Sequence, residues 1–193
     1  MADATTNQTA NVSVGKGSSG AYAWIAPYGA TLPTDNTSTV DTAFKVLGFI
    51  SEDGITFSDS FDSTTHSDMN GDTVATSAGA VEKTASMKWL ELKKATLDIV
   101  YGAENVNDAD GTIEYTDKGP DQTLWSMVFD FVLGGSRKWR VIVPQCKLSE
   151  LADMTINYQE LVGRETTMAV LYDSDAGGYY KGYLDSTETE AGA

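Results

Sequence analysis

Leu124-Trp125-Ser126-Met127-Val128-Phe129-Asp130-Phe131-Val132, followed through Gly134-Gly135 by Lys138-Trp139-Arg140-Val141-Ile142-Val143-Pro144, is the stretch that decides the fold. In the first run Trp125, Met127, Phe129 and Phe131 occupy every second position, the spacing that puts them on one face of an extended strand. Gly134 and Gly135 supply a turn. The second run is rich in β-branched residues and predicts a strand ending at Pro144, which has no N–H to give a ladder. Two strands joined by a tight turn are the seed of an antiparallel sheet.

The pattern continues on either side. Downstream, Cys146 to Tyr158 and Leu161 to Tyr172 read as a strand pair turned at Asn157 to Glu160, and Asp173 to Gly178 as a loop. Upstream, Phe44 to Ile50 and Ile55 to Phe57 flank Ser51-Glu52-Asp53-Gly54, a hairpin signal because Gly54 can take a positive φ. Ser58 to Gly79 is polar and crowded with Ser, Thr and Asp, which predicts a long loop of the kind that orders on a partner. Val81 to Leu92 begins as alternation; Leu90, Lys94, Leu97 and Tyr101 then recur at helical spacing, and Gly102 stands at the C′ position. One short helix over Leu92 to Tyr101 is predicted.

These elements specify an all-β fold, a β-sandwich or barrel with one short flanking α-helix. Residues 40–172 would form that domain, with residues 58–79 as its long loop. Residues 173–193 would be an acidic C-terminal extension, and residues 1–39 an N-terminal arm rich in Ser, Thr, Asn, Gly and Ala. Within the arm, Ala21-Tyr22-Ala23-Trp24-Ile25-Ala26-Pro27-Tyr28 is more aromatic than a disordered segment. It is expected to dock on its own domain or on a neighbour.

The chemistry-bearing residues form no catalytic constellation. His66, the one histidine, sits among Ser60, Asp62 and Ser63, but adjacency in sequence is not a triad and no nucleophile elbow is present. The carboxylates lie in Gly/Ser/Thr-rich stretches, where a solvated surface is their ordinary use. Val106 to Ile113 places Asp108, Asp110 and Gly111 as in a calcium loop with Asp117 last, yet Val106 cannot coordinate and the last ligand is not Glu. Val14 to Gly20 lacks phosphate-loop spacing. Cys146 is alone, so there is no disulfide framework, and no Cys/His spacing suggests zinc. No enzyme, cofactor or metal is expected.

Charge speaks to partners. Against 13 Lys and Arg stand 28 Asp and Glu, a net −15, and from Met1 to Glu82 the only cations are Lys16 and Lys45. Such a surface repels phosphate and disfavours specific nucleic-acid binding, although a channel through which DNA slides would need that sign. Arg137-Lys138-Trp139-Arg140 is the exception, a cationic hairpin edge fit for edge protection or for acids on another subunit. No apolar run approaches the roughly 20 residues that span a bilayer. Nor is Met1 to Thr9 built as a signal peptide, so synthesis in the cytoplasm is expected.

The ordered series of motifs resembles the major tail tube proteins of siphophages infecting Gram-positive hosts. It comprises Val12 to Lys16, Gly20-Ala21-Tyr22 with Ala26 to Thr34, Leu47 to Ser58, Gly71 to Val74, Val100-Tyr101-Gly102, Arg140 to Pro144 and Tyr172-Asp173-Ser174. The resemblance implies a virion tail component without enzymatic activity, assembled as stacked hexameric rings whose bore conducts DNA during ejection. Its partners would be further copies of itself, a tape-measure protein, a tail terminator and genomic DNA passing without specific binding. The inter-subunit candidates are Tyr22, Trp24 and Tyr28 in the arm, Asp59, Asp62, Asp68 and Asp72 in the long loop, and Arg137, Lys138 and Arg140. Acids on alternate bore-facing positions would keep DNA from adhering. A single-ring terminator or minor tail protein is the alternative within this class. Outside it stands a β-sandwich carbohydrate- or host-binding module using Trp24, Tyr28, Tyr179 and Tyr180 as stacking residues.

Overall fold

The structure, a computed structural model, describes residues 9–119 and 121–186. Its strands are β1 (Lys16–Gly17), β2 (Ala23–Pro27), β3 (Lys45–Val46), β4 (Ile50–Ser67), β5 (Thr73–Trp89), β6 (Val106–Ala109), β7 (Thr112–Tyr115), β8 (Trp125–Val132), β9 (Lys138–Leu151), β10 (Arg164–Val170) and β11 (Lys181–Leu184). One helix, α1 (Lys94–Tyr101), accompanies them. The fold is all-β with a short helix, as the sequence indicates. The chain divides into two compact units. One comprises the segment ending at Phe49, Leu124–Gln145 and the segment from Asp173; the other comprises Ile50–Thr123 and Cys146–Tyr172.

In the first unit the strand order is β3-β2-β8-β9, with β1 on β8 and β11 on β9. The alternation that singled out β8 is only half of its environment. Trp125 through Phe129 are all buried, so β8 is a central strand covered on both faces. Ser126, on the second face, is tolerated because its hydroxyl donates to the Pro144 carbonyl at 2.7 Å. The aromatic arm segment is β2, which pairs with β8 in the register Ala23↔Phe129 to Pro27↔Trp125. Ala26, Phe44, Val128 and Ile142 form a core against which Trp24, Leu32, Val40 and Tyr183 pack.

The second unit stacks β10 between the end of β9 and β5, with β4 outside β5. One side of these strands is buried: Ala85, Met87 and Trp89 on β5, Thr166, Met168 and Val170 on β10, and Cys146 on β9. The Trp89 indole N–H donates to the Thr166 hydroxyl at 3.0 Å, which satisfies both polar atoms where water cannot reach them. Helix α1 begins two residues later than predicted. The Lys93 backbone N–H donates to the Thr96 hydroxyl, closing the first turn. It ends at Gly102, whose φ of 84° suits glycine. Thr96, Leu97, Ile99 and Val100 are its buried residues.

Four expectations are corrected. Ser58 to Gly79 is not a loop: it lies in β4 and β5, a hairpin turned at Asp68 to Asp72. Asp53-Gly54 is not the hairpin turn but an irregularity inside β4, where the register shifts between Ile50 and Ile55. Pro144 does not end its strand. It falls between the part of β9 paired with β11, residues 139–142, and the part paired with β10, residues 146–151, where no ladder requires its N–H. The strand predicted over Cys146 to Tyr158 stops at Leu151, and its partner starts only at Arg164. Between them, the backbone N–H groups of Gln159 and Glu160 do donate to the Asn157 side chain, as a turn requires.

Two further segments take strand form. The calcium-like sequence is the β6–β7 hairpin, with Asp110 and Gly111 at φ 53° and 75° making the tight turn. Lys181–Leu184, within the segment taken as an acidic extension, is strand β11.

Candidate functional site

The β4–β5 hairpin carries the most exposed chemistry of the second unit. Its register runs from Ile55↔Met87 through Asp59↔Lys83 and Phe61↔Val81 to Ser67↔Thr73, with shifts near Asp62 and at the tip. Every residue from Ser58 to Glu82 is exposed. The core-facing row Met87, Ala85, Phe57 is followed outward by the Asp59–Lys83 ion pair at 2.7 Å and then by Phe61 at 67% exposure. The Lys83 ammonium also lies 5.2 Å from the Phe61 ring centroid.

At the tip, the Asp68 carboxylate accepts the backbone N–H groups of Asn70 and Asp72, at 2.8 and 2.9 Å. The Asp72 N–H is the foremost of the donors that hold the Asp68 carboxyl below the usual carboxylate range. Met69, between them, is 100% exposed. A two-stranded ribbon without a core of its own is marginal in water. Covering its apolar residues would contribute roughly 1.5–3 kcal/mol for each large side chain. Of the candidates in this segment, Asp59 is engaged within the chain, Asp68 holds the turn, and the carboxylates of Asp62 and Asp72 are at the exposed surface.

The cationic stretch of the first unit divides. Arg140, expected to face another subunit, is instead 4% exposed. Its guanidinium donates twice to Asp130, at 2.6 and 2.7 Å, and to the carbonyls of Asp35 and Ser38, at 3.0 and 2.8 Å. The Asp130 carboxylate raises its pKa further against the opposing effect of burial. Arg137 donates to the Ser13 hydroxyl at 2.8 Å. Lys138 is exposed; its backbone N–H donates to Asp185, whose other carboxylate oxygen takes the Asn36 amide.

The arm residues are part of the first unit. Tyr22 closes over Gly17, where an added Cβ would lie 2.7 Å from the ring. Trp24 packs on the core, and Tyr28 is bonded to Asp173, whose carboxylate holds the phenol above its ordinary pKa. Tyr179 and Tyr180 are half-buried. Of these aromatics, Tyr28 keeps 42% of its surface exposed, whereas Trp24 packs against the core of the first unit. His66 lies on β4 within 3.1 Å of the Ser77 hydroxyl, across the hairpin. Burial pushes the Cys146 thiol strongly up, which leaves it inert as a nucleophile.

The second face of the second unit could not be read from sequence. Opposite its buried side, Thr56, Ser58, Thr84, Ser86 and Thr167 form a hydroxyl surface, tied by a 3.0 Å contact between Ser86 and Thr167. Lys88 and Glu165 stand directly across from one another on this face. The available signal was Ser/Thr at alternate positions, Thr56, Ser58 and Ser60 on β4 and Thr84 and Ser86 on β5, hidden until the register was known.

No helix among the described residues is long and apolar enough to cross a membrane. A search of the curated proteins finds no match. A family model described as phage tail tube protein matches residues 5–185, nearly the whole chain. Such proteins are structural components of the virion tail that self-assemble into a tube, which accords with an all-β chain bearing a long exposed hairpin. The chain belongs to the phage tail tube protein family.

Proposed function

We propose that the subunits close into rings of six and that the rings stack into a hollow tube whose bore conducts the phage genome during ejection. A tape-measure protein and a tail terminator would attend its length and its end. The observation that carries this reading is β4. It spans 18 residues at the edge of the second unit, and among the described residues no strand pairs with its outer side. A long, unprotected edge invites another chain. Addition of a strand from the next subunit around a ring satisfies its N–H and C=O groups, and repetition closes the ring.

The hydroxyl face suits a bore. Short Ser and Thr side chains dominate it, and of its two lysines Lys88 is placed opposite Glu165 and Lys147 donates to the Gln122 side chain, so the surface offers a phosphate backbone little to hold. The acids on this side, Glu82, Glu150 and Glu165, supply repulsion without a dense negative lining.

Negative-stain microscopy with light scattering on the concentrated protein tests the reading. Hollow tubes built of six-fold rings are expected. Single rings that never stack would favour a terminator. A chain that stays monomeric at every concentration, with or without isolated tail tips as nucleus, would overturn it.

A further inference from the structure

The strand pattern of β9 outlasts the strand. Past Leu151, Met154, Ile156 and Tyr158 recur at every second position, with Asp153, Thr155 and Asn157 between them. No Gly or Pro from 152 to 162 interrupts an extended course. β9 nonetheless stops because its partner runs out. The last rung on β10 is Thr166↔Leu151, and beyond it only the Ala152 N–H reaches β10, at the Glu165 carbonyl. Residues 153–158 then make no backbone–backbone hydrogen bond among the described residues, and Ile156 and Tyr158 are 70% and 94% exposed. A strand-patterned segment with its apolar face in water and no ladder lacks a neighbour.

The outer side of β4 lacks one too, and the two match. In the second unit β9 and β4 are the outer strands, with β10 and β5 between them. Along β4, Phe57, Asp59 and Phe61 share the face that leads to the core, and Thr56, Ser58 and Ser60 the hydroxyl face. The segment divides in the same way, so one placement extends both faces of the sheet together. Six extended residues span ~20 Å, well within the ~33 Å of residues 58–67. Charge decides between partners. The second unit sets nineteen Asp and Glu against seven Lys and Arg, and residues 58–67 hold Asp59 and Asp62 with no lysine or arginine. Pairing β4 with another β4 would bring those acids together, whereas residues 154–159 carry no charge at all.

We propose that residues 153–158 of one copy add as a strand to the outer side of β4 of the next copy, over residues 58–64, with Ile156 and Tyr158 packed beside Phe61. The contact rests on the tube reading and names the strand that reading requires. It is heterologous, one edge of each copy meeting the opposite edge of the next, as repetition around a ring demands.

Hydrogen exchange on assembled tubes reads the ladder directly. The amides of residues 153–158 are expected to exchange at least about a hundredfold more slowly in tubes than in the unassembled chain. Thr155→Pro, which removes one N–H, is expected to raise the critical concentration at least about tenfold, and Thr155→Ala, which keeps it, to stay within about threefold of the parent. Melting of the unassembled chain should change little, because the Thr155 N–H bonds to nothing there. Should Thr155→Pro unfold the unit, exchange in tubes of the parent decides alone. Tubes whose 153–158 amides exchange as in the unassembled chain, or Pro and Ala variants that assemble alike, overturn the contact and leave the tube reading standing. Failure of the parent chain to polymerise overturns the tube reading and the contact with it.

Discussion

The guanidinium of Arg140 binds both oxygens of Asp130 and the carbonyls of Asp35 and Ser38. It therefore fastens the 35–38 segment to β8 and β9. Arg140→Ala leaves Asp130, itself mostly buried, without its counter-charge and two carbonyls without a donor. A loss of about 3 kcal/mol is expected, read as a lowered urea midpoint with unchanged slope. An unchanged midpoint would mean that water replaces the arginine at little cost.

Asp35 holds the same segment from the other side. The backbone N–H groups of Ser38 and Thr37, then the Thr37 hydroxyl, keep its carboxyl at about 2. Because the folded chain prefers the ionised form, the carboxylate stabilises it fully above the ordinary carboxylate pKa, near ~4, and ceases to do so as pH falls through about 2. Asp35→Ala should accordingly be less stable than the parent at pH 7, and the gap should close between pH 4 and pH 2. Thermal melts at successive pH values decide it; a gap constant with pH would show that the charge is not what holds the segment.

Among elements, those with a buried face were legible and those without one were not. β8 announced itself because Trp125, Met127, Phe129 and Phe131 recur at period two. The helix was found because Leu97 and Gly102 mark a face and an end, although its start depends on a Thr96 contact that no spacing reveals. The outer half of the hairpin was lost for a physical reason. Both its faces meet solvent, so Ser, Thr and Asp occupy positions where alternation would show, and the tip sequence Asp68-Met69-Asn70-Gly71-Asp72 was absorbed into an apparent loop. The same rule governs the candidate site. Charge alone singled out the cationic stretch, and composition could not separate Lys138, which is exposed, from Arg140, which is buried two residues later. Only the register of β9 against β11 brings Trp139 to Leu184.

For the whole molecule, the decisive quantity is a net charge of −15 on each copy that must pack among others. Two forces of different range then compete in assembly. Repulsion between whole subunits acts over tens of ångströms, whereas the direct contacts between packed subunits act over a few. At 0.01 M salt the Debye length is about 30 Å, comparable to a subunit, and at 0.15 M it is about 8 Å. Added salt in this range removes the long-range repulsion while sparing desolvated contacts, since partly buried pairs are screened much less. The growth rate of scattering at fixed protein concentration should therefore rise several-fold from 10 to 150 mM salt. A fall over the same interval would mean that attraction between oppositely charged surfaces dominates even at long range, and that the acidic surplus of the second unit is neutralised by its neighbours rather than merely tolerated by them.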